Sequence, residues 1–448
     1  MALTSYIESG YENKKKTGVV FIDLTAAYDT VWHNGLMLKL ARVIKCKKTL
    51  KLLNKMTGTR TFQVVLGNDY SKTKKIQNGV PQGSVLAPTL FNLYISDIPN
   101  TQSLKFAYAD DLALAYQSND KNELETTLSN DTQNIHNFFS QWYLKMNTTK
   151  TVTTLFHLNN HRANDTMHIR VNNETLPNEK HPKYLGVTLD RALTYKKHLE
   201  NTAHKVSKRV SLMRKLAGTS WGASQEVLKT TAMALCYSAA EYCSPVWARC
   251  AHTSKVDTQL NESMRIVSGT TQSTPIPWLP VMSNIAPPHL RREEATQKQH
   301  ARLLNSDSPT PLKQVIDEAP VTSRLKSRKP FYKATKENYE TKEAWRNEWR
   351  QNLPRQGEVI PDPTKPLPGF HHLTRRQWTQ ANRLLTGHGK TAANLHRWGY
   401  QESPMCPACH EAPQDTDHLV LHCPITAIPG ATTPSTRPMK SSPPGATA

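Results

Sequence analysis

Long apolar segments and acidic side chains are both scarce in this sequence. No run approaches the roughly 18 apolar residues that a membrane-spanning helix needs, and Met1 to Lys16 has no hydrophobic stretch of signal-peptide type. This predicts an intracellular protein with no membrane partner. Only 36 Asp and Glu residues oppose 57 Lys and Arg, a formal net charge of +21. A polyanion, above all nucleic acid, is the expected partner, although a basic soluble protein without one would have the same composition.

Cysteine is scarce too, with 7 residues in 448. An odd number of widely scattered cysteines argues against a disulfide framework. Cys236, Cys243 and Cys250 recur every seven residues within a segment of helical periodicity from Ala223 to about Ser268. We interpret them as small buried side chains on one helix face rather than as metal ligands.

Periodicity and composition divide the chain into five segments. Residues 1–190 alternate β-rich runs with helical ones, which predicts an α+β domain. Residues 191–275 are predicted helical, beginning with a basic amphipathic helix from Lys196 to Leu216. Residues 276–370 are predicted to be a partly ordered linker, 371–424 a basic region with a Cys/His cluster, and 425–448 a disordered tail.

Two carboxylate motifs lie in the first segment. An apolar strand ends in Asp23, and two β-like runs meet at Asp110 and Asp111, as in a tight hairpin. Adjacent carboxylates repel unless a cation neutralises them, and Mg²⁺ binds a few carboxylates together with water and phosphates. Asp23 and Asp110 could then share two metal ions, one activating a primer 3′-hydroxyl and the other stabilising pyrophosphate. Either motif alone would equally suit a surface turn or a helix cap.

A third motif, Pro81-Gln82-Gly83, lies between them in a Gly/Pro-punctuated turn that opens an apolar helix. Glycine permits close backbone approach to a ligand, and Gln82 offers both donor and acceptor groups. The order Phe-Ile-Asp, Pro-Gln-Gly, Ala-Asp-Asp resembles motifs A, B and C of reverse transcriptases. Trp142 to Thr151 resembles motif D, and Lys183 to Asp190 resembles motif E, the primer grip. The amino-acid sequence of these motifs is similar to that of jockey-like non-LTR retrotransposons of arthropods.

This resemblance implies a right-hand polymerase palm of ferredoxin-like architecture, with partial fingers in residues 1–190 and a helical thumb in 191–275. The implied catalytic groups are Asp23, Asp110 and Asp111, which hold two Mg²⁺ ions, and Lys150, which donates a proton to pyrophosphate. The implied substrate-binding residues are Tyr28 as a steric gate, Gln82 and Gly83 at the nucleotide, and Tyr184, Leu185 and Gly186 at the primer. Tyr28 could instead be a core tyrosine, and Lys150 could be a lone solvated lysine in a turn.

The implied function is that of an RNA-directed DNA polymerase in the nucleus. Its partners would be an RNA template, a DNA primer or target, and deoxynucleoside triphosphates; no specific protein partner is indicated. Members of the family carry a fingers subdomain, and usually an endonuclease, before motif A, whereas motif A lies close to Met1 here. The resemblance therefore also allows a catalytically inactive, N-terminally truncated product that binds nucleic acid.

The Cys/His cluster has the spacing C-x₂-C-x₈-H-x₄-C, formed by Cys406, Cys409, His418 and Cys423. Three thiolates and one imidazole suit tetrahedral Zn²⁺, and a closed site predicts a structural role. His410 and His422 remain alternatives for the fourth ligand. Basic residues interleave upstream with Trp378 and Trp398, which would serve either nucleic-acid binding or packing. These basic residues are Arg375, Arg376, Arg383, Lys390 and Arg397.

Overall fold

The protein is described here from a computed structural model, which describes residues 1–58, 60–305, 311–317, 325, 330–333 and 339–427. The strands are β1 (Lys16–Ile22), β2 (Thr61–Phe62), β3 (Val65–Leu66), β4 (Asp69–Tyr70), β5 (Lys74–Lys75), β6 (Leu104–Tyr108), β7 (Asp111–Ser118), β8 (Val152–Phe156), β9 (Arg170–Val171), β10 (Glu174–Thr175), β11 (Lys183–Tyr184) and β12 (Val187–Thr188). The predicted disordered tail lies outside the described residues from position 428 onward.

The helices are α1 (Ala2–Glu12), α2 (Ala27–Thr30), α3 (His33–Val43), α4 (Lys47–Gly58), α5 (Ala87–Ile95), α6 (Lys121–Gln141), α7 (Lys196–Arg214), α8 (Gln225–Thr231), α9 (Ser238–Ala240), α10 (Ser244–Trp247), α11 (Ser254–Ser268), α12 (Trp278–Ser283), α13 (Pro288–Leu304), α14 (Pro311–Asp317), α15 (Thr341–Gln351), α16 (Arg375–Leu385) and α17 (Ala392–Arg397). Within the part of the chain that the structure describes, no helix is both long and apolar enough to cross a bilayer.

An antiparallel sheet of four strands organises the first part of the chain. Its strand order is β6-β7-β1-β8, and α5 and α6 connect its strands in the sequence βαββαβ. Strand β1 lies in the interior of this sheet, and six of its seven residues are buried. This explains why Val19 to Ile22 is a continuous apolar run instead of an alternating one. The mixture of helix and sheet predicted for this region is therefore present.

A hydrophobic core joins this sheet to its helices. Val20 and Ile22 of β1 and Leu112 of β7 pack in one cluster with side chains of α5 and α6, among them Phe91 and Leu128. All five of these residues are less than 5% exposed, and Phe91 is fully buried. Close packing of this kind holds the strand ends in fixed positions. It therefore also fixes the backbone of the residues that follow each strand.

The chain divides into two compact units. The first comprises Met1–His198, Arg249–Ala251 and His300–Thr335, and the second comprises Leu199–Ala248, His252–Gln299 and Lys336–Ala448. The described part of the second unit is built from helices and contains a core rich in tryptophan, with Trp278, Trp345, Trp349 and Trp378. Helix α7 agrees with most of the predicted basic amphipathic helix, although it ends at Arg214 rather than Leu216, which is exposed. Four of the predicted periodic apolar residues are buried. These are Leu199, Val206, Val210 and Met213.

The prediction of a continuous helical face bearing Cys236, Cys243 and Cys250 is wrong. The backbone of Cys243 is left-handed, with φ 52°, and separates α9 from α10. The reason lies two residues further on: Pro245 has no amide hydrogen to continue a helix and suits a first turn, so α10 starts afresh around it. Cys236 and Cys250 are nevertheless buried, as expected of small apolar side chains.

More helix is present between residues 276 and 370 than a linker composition suggests. Helices α12, α13 and α15 all fall in this range, and α13 alone has 17 residues. Pro277 lies directly before α12 and Pro288 is the first residue of α13. Proline is compatible with the first turn of a helix, where its missing amide hydrogen is not needed. Two of the prolines that indicated a linker therefore mark helix starts.

Candidate active site and metal centre

The three aspartates lie at one end of the four-stranded sheet. Strand β1 ends at Ile22, so Asp23 is the next residue, and Ala109 and Asp110 form the turn between β6 and β7. Strands β1 and β7 are antiparallel, and Ile22 is paired with Leu112. Because the register advances one residue at a time, Asp23 falls opposite Asp111. The sheet thus brings the two carboxylate motifs of the sequence together.

Charge repulsion is evident among these carboxylates. The pKa of Asp111 is raised, first by burial and then by the negative charges of Asp110 and Asp23. A divalent cation would favour the ionised forms and relieve this repulsion. Among the described residues, however, the three aspartates are not a group whose ligand atoms surround one ion as closely as the cysteine cluster below. The structure thus shows neighbouring charges rather than a closed cage.

The segment that resembles motif D holds the backbone of Asp23 on both sides. The Asp23 amide donates to Thr151 Oγ1 at 3.2 Å, and the Asp23 carbonyl accepts from the Asn147 amide at 2.9 Å. Asn147 Oδ1 also accepts from the Lys150 amide at 3.1 Å. The Lys150 side chain is exposed at this turn. The segment that resembles motif D is therefore attached to the strand end that carries the first aspartate.

Tyr28 packs against a core side chain and also lies near the hairpin aspartates. Its ring stacks on Phe91, with centroids 4.6 Å apart and planes inclined by 16°. Its pKa is raised by burial and then by the charges of Asp110 and Tyr108, so the phenol lies near the hairpin aspartates. The ring is half-buried and keeps an accessible side. Packing on α5 fixes its orientation beside the carboxylates.

The Pro-Gln-Gly loop is attached to the backbone around Tyr28. The Gly79 amide donates to the Val31 carbonyl and the Val80 amide to the Tyr28 carbonyl, both at 2.8 Å. Gln82 Nε2 donates to Asp29 Oδ1 at 3.0 Å. Gly83 has a left-handed φ of 84°, and no atom lies within 4 Å of where its Cβ would be. The loop thus leaves open space at Gly83 while its base is held firmly.

The hairpin of β11 and β12 is anchored to the sheet through Tyr184. Leu185 and Gly186 form its two-residue turn with φ values of 45° and 79°, the arrangement of a type I′ turn. The Tyr184 hydroxyl donates to the Phe106 carbonyl of β6 at 3.0 Å. Burial, and then the charge of Asp111, raises the Tyr184 pKa. The hairpin tip is consequently held at a fixed distance from the aspartate end of the sheet.

Sequence reasoning did not single out Asp29 and Thr151. Asp29 accepts the Gln82 side chain, and the Thr151 hydroxyl accepts the Asp23 amide. Thr151 was part of the motif D segment, but threonine in a turn carries no signal of its own. Asp29 could have been noticed as the residue that follows Tyr28. Both contacts join residues more than 50 positions apart, and this explains why local pattern did not reveal them.

The second site is the cysteine cluster. The ligand atoms of Cys406, Cys409, His418 and Cys423 all lie within 4.8 Å of one another. Cys409 Sγ and His418 Nε2 are 3.3 Å apart. Cys406, His418 and Cys423 are buried, whereas the alternatives His410 and His422 are exposed and are not in the group. The donor set and its spacing fit a four-coordinate zinc site.

Local backbone hydrogen bonds build this cluster. The Cys406 amide donates to the Ala412 carbonyl at 2.8 Å and the His410 amide to the Cys406 carbonyl at 2.9 Å, which closes the first loop. The Cys423 amide donates to the His418 carbonyl at 2.7 Å and brings the last two ligands together. The Cys409 amide, directed at the Cys406 sulfur, is the first cause that holds the Cys406 pKa below its usual range. Thiolate is the form that binds metal.

The tryptophan and arginine upstream of the cluster are used for packing. Trp378 is 1% exposed and lies edge-on to Phe370, with centroids 5.4 Å apart. Arg375 is also buried, and it donates to the carbonyls of Ile266 and Val267. The packing alternative therefore holds for these two residues. Arg376, Lys390 and Arg397 are exposed, and Trp398 is half-buried.

Comparison with known proteins gives two family matches. Residues 2–189 match the family described as reverse transcriptase (RNA-dependent DNA polymerase). Residues 369–428 match the family described as zinc-binding in reverse transcriptase. The first range includes all three aspartates, and the second includes the four residues of the cysteine cluster.

Individual relatives are similar over shorter parts of their own length. The probable RNA-directed DNA polymerase from transposon BS of Drosophila melanogaster is 33% identical over 221 residues, which is 47% of this chain and 24% of that protein. The RNA-directed DNA polymerase from mobile element jockey of Drosophila funebris is 31% identical over 45% of this chain and 23% of its own length. The Pol polyprotein of element R1 from Bradysia coprophila is 23% identical over 90% of this chain and 40% of its own. The chain thus spans about a quarter of the first two relatives.

Among solved structures, a telomerase from Candida albicans in complex with a fragment of telomeric RNA matches at a TM-score of 0.34 and 12% identity. The match covers 62% of this chain and 52% of that one. A similarity of this size carries no argument about the site.

Proposed function

We propose, from the premise that residues 2–189 are a reverse transcriptase domain related to those of jockey-like non-LTR retrotransposons, that this chain copies RNA into DNA. The observation that carries the proposal is the meeting of Asp23, Asp110 and Asp111 at one end of the four-stranded sheet. In this proposal the sheet is a ferredoxin-like palm, and the helices of residues 191–275, α7 to α11, are the thumb. The site of action is the nucleus, where such an element would enter a chromosome.

The three aspartates would hold two Mg²⁺ ions. Bound there, the ions would activate the primer 3′-hydroxyl and stabilise the leaving pyrophosphate. Asp23 and Asp110 are the principal ligands and Asp111 assists them. Asp110 is exposed and Asp111, although partly buried, keeps accessible surface, which leaves room for the phosphates and water that Mg²⁺ retains as ligands. Lys150, exposed in the turn that also holds Asp23, is the proposed proton donor to pyrophosphate.

The incoming deoxynucleotide would lie against the Pro-Gln-Gly loop. Gly83 supports this, because open space around its α-carbon lets a ligand approach the backbone closely. Gln82, oriented by Asp29, can donate to or accept from the nucleotide. Tyr28, oriented by Phe91, would crowd a ribose 2′-hydroxyl and so select deoxynucleotides.

The RNA template and the DNA primer or target would be held outside this nucleotide site. The Tyr184-Leu185-Gly186 hairpin is the proposed primer grip, supported by its attachment to β6 through the Tyr184 hydroxyl. Helix α7 exposes lysines, including Lys205 and Lys208, that can pair with backbone phosphates. The zinc site of residues 406–423 fits a structural role, since four protein ligands leave no open coordination position.

The test is primer extension on a poly(rA) template with an oligo(dT) primer, Mg²⁺ and dTTP. Wild-type protein and Asp110→Ala are compared, with Asp69→Ala as a control that removes an exposed carboxylate from the β3–β4 hairpin. We expect extension by the wild type and the control but not by Asp110→Ala. Binding of the same primer–template is measured in parallel and is expected for all three proteins.

Two outcomes oppose the proposal in different ways. Extension by Asp110→Ala at the wild-type rate would show that the aspartates are not the active site. Binding by all three proteins without extension by any would identify the chain as a nucleic-acid-binding product that does not polymerise.

A further inference from the structure

A second charged site lies in the helical unit, at the C-terminal end of α11. Here a cavity of about 400 Å³ is lined by four guanidinium groups and a single carboxylate. The arginines are Arg214, Arg265, Arg375 and Arg383, and the carboxylate is Glu262. Nothing in the proposed polymerase chemistry uses this cavity. We call it the arginine pocket.

Part of the arginine pocket has a structural task. The last carbonyls of a helix have no partner within the helix. Arg375 satisfies those of Ile266 and Val267, with hydrogen bonds of 2.6 and 2.8 Å, and also donates to Gly218 at 3.1 Å. A buried arginine that makes three such bonds is fully explained as a helix cap.

Arg265 is also well used, because its Nη1 donates to the carbonyls of Thr271 and Thr274 at 2.9 and 3.0 Å in addition to its contact with Glu262. Arg214 and Arg383 are less fully used. Arg383 donates through Nε to the Gly269 carbonyl at 2.9 Å, and within the described residues its terminal nitrogens have no protein acceptor. Arg214 and Arg265 share Glu262, at 3.0 and 3.3 Å. Guanidinium groups carry five N–H donors each. The pocket therefore retains N–H donors that are available to bind a ligand.

The net charge of the side chains that line the pocket also favours an anionic ligand. Four positive groups and one negative group leave an excess of three positive charges in a partly buried space. Burial, and then the charge of Arg383, lowers the pKa of Arg375 to about 10. Burial also lowers the pKa of Arg265 and of Arg383. An anion in the pocket would offset this crowding of like charges.

The lining selects the class of anion. Besides the charged groups, it consists mainly of glycine, threonine and glutamine, and Ile266 is its one large aliphatic side chain. Such a wall offers little apolar or aromatic surface for a nucleobase. Arginine forks match the paired oxygens of phosphate. A phosphate group therefore suits the pocket better than a base or a hydrophobic carboxylate.

We propose that the arginine pocket binds a backbone phosphate of single-stranded RNA, outside the polymerase site. The identity of the polyanion rests on the proposed function, whereas the pocket itself rests on the contacts above. Arg214 is the last residue of the basic helix α7, and the exposed lysines Lys205 and Lys208 precede it on that helix. A strand held in the pocket would thus meet further cations.

The test measures how RNA binding by the full-length protein depends on salt. Each phosphate contact on a single strand contributes about 0.7 to the slope of log affinity against log salt concentration. We expect Arg383→Gln and Arg214→Gln each to weaken binding and to reduce the slope by about that amount. Arg350→Gln is the control, because Arg350 is exposed on α15 and does not line the pocket. Arg214 is 55% exposed, so its replacement leaves the fold intact even where that of Arg383 does not.

An equal change in all three variants would overturn the proposal, because it would reflect net charge alone. Free phosphate is the alternative source of the same chemistry. Pyrophosphate is therefore added without RNA, and the melting temperature is recorded. Stabilisation of the wild type but not of Arg383→Gln, combined with unchanged RNA binding in that variant, would overturn the assignment to RNA.

To test the polymerase proposal separately from the arginine pocket, the salt dependence of RNA binding is measured again with Asp110→Ala. That substitution should abolish extension and leave the salt slope unaltered. A normal slope in Arg383→Gln together with Asp110-dependent extension would reject the pocket alone. A reduced slope together with extension independent of Asp110 would reject the active site alone.

Discussion

Tyr28 combines a packing contact with a position close to the proposed active site. Its ring stacks on Phe91 at 4.6 Å, and the same ring feels the charge of Asp110. The sequence alone left two interpretations of Tyr28 open, a core side chain or a side chain at the nucleotide site. The structure gives the reason, since stacking on α5 is what would hold the ring in place as a gate.

Replacing Tyr28 by valine is expected to admit ribonucleotides. Removing the ring deletes a steric contact of about 1–3 kcal/mol, so discrimination against UTP relative to dTTP should fall roughly 10- to 200-fold. Tyr28→Phe retains the ring and should discriminate as the wild type does. Single-nucleotide incorporation kinetics measure both ratios. Unchanged discrimination in Tyr28→Val would mean that the ring only packs.

His198 should make stability depend on pH. Burial lowers its pKa to about 4, while the unfolded chain has the ordinary value near 6.5. As the pH falls, His198 therefore takes up a proton in the unfolded state before it does so in the folded state. The free energy of unfolding that is present above about pH 6.5 decreases as the pH falls to about 4. The loss is on the order of 3 kcal/mol.

Denaturant unfolding at several pH values checks this. His198→Asn can still accept from the Thr188 amide, which lies 3.4 Å from Nδ1 of the histidine, and it should lose that part of the pH dependence. His204→Asn, exposed on the same helix, should behave as the wild type does. The same acid sensitivity in His198→Asn would assign the effect to other groups.

Among the elements, the Pro-Gln-Gly loop depends most on a glycine. Gly79 has φ 87°, and a Cβ there would come within 2.8 Å of the Asp29 backbone. Gly79→Ala must therefore displace the loop from the segment that carries Tyr28, and we expect primer extension to fall roughly tenfold or more. Gly67→Ala is the control, because Gly67 also has a positive φ of 61° but open space around it. Equal extension by both variants would contradict this role of the loop.

The elements also show where sequence reasoning succeeds. The apolar run before Asp23 and the two runs around Asp110 became β1 and the β6–β7 hairpin, because local pattern is enough to define a buried strand and a turn. Helix α7 follows its apolar period for the same reason. The prediction of one continuous helix around Cys243 was wrong because a proline two residues later was given too little weight.

Tertiary contacts account for the rest. Nothing near Arg375 in sequence indicates that it caps a helix that ends more than 100 positions earlier. Trp378 was equally compatible with base stacking until its burial was known. The contacts of Asn147 and Thr151 with Asp23 are of the same kind. Residue type and spacing predicted which groups matter, and the fold determines which of them meet.

At the scale of the whole molecule, the zinc site should decide the folding of the C-terminal region. We expect one Zn²⁺ per chain, and removal by a chelator should increase hydrogen exchange in residues 392–427 because structural zinc contributes about 10–16 kcal/mol of binding free energy. Cys409→Ser should give the same result without a chelator. Cys46→Ser, at an exposed cysteine far away in sequence, should retain the metal. Full zinc content in Cys409→Ser would contradict the ligand assignment.

The central claim is that three aspartates at one end of the β6-β7-β1-β8 sheet form the metal site of a template-copying polymerase. Electron paramagnetic resonance with Mn²⁺ in place of Mg²⁺ tests it most directly, in the presence of primer–template and a non-reactive deoxynucleotide analogue. The account predicts two bound Mn²⁺ ions per wild-type chain and their loss in Asp110→Asn, with Asp69→Asn unaffected. The same number of bound ions in Asp110→Asn as in the wild type would contradict it.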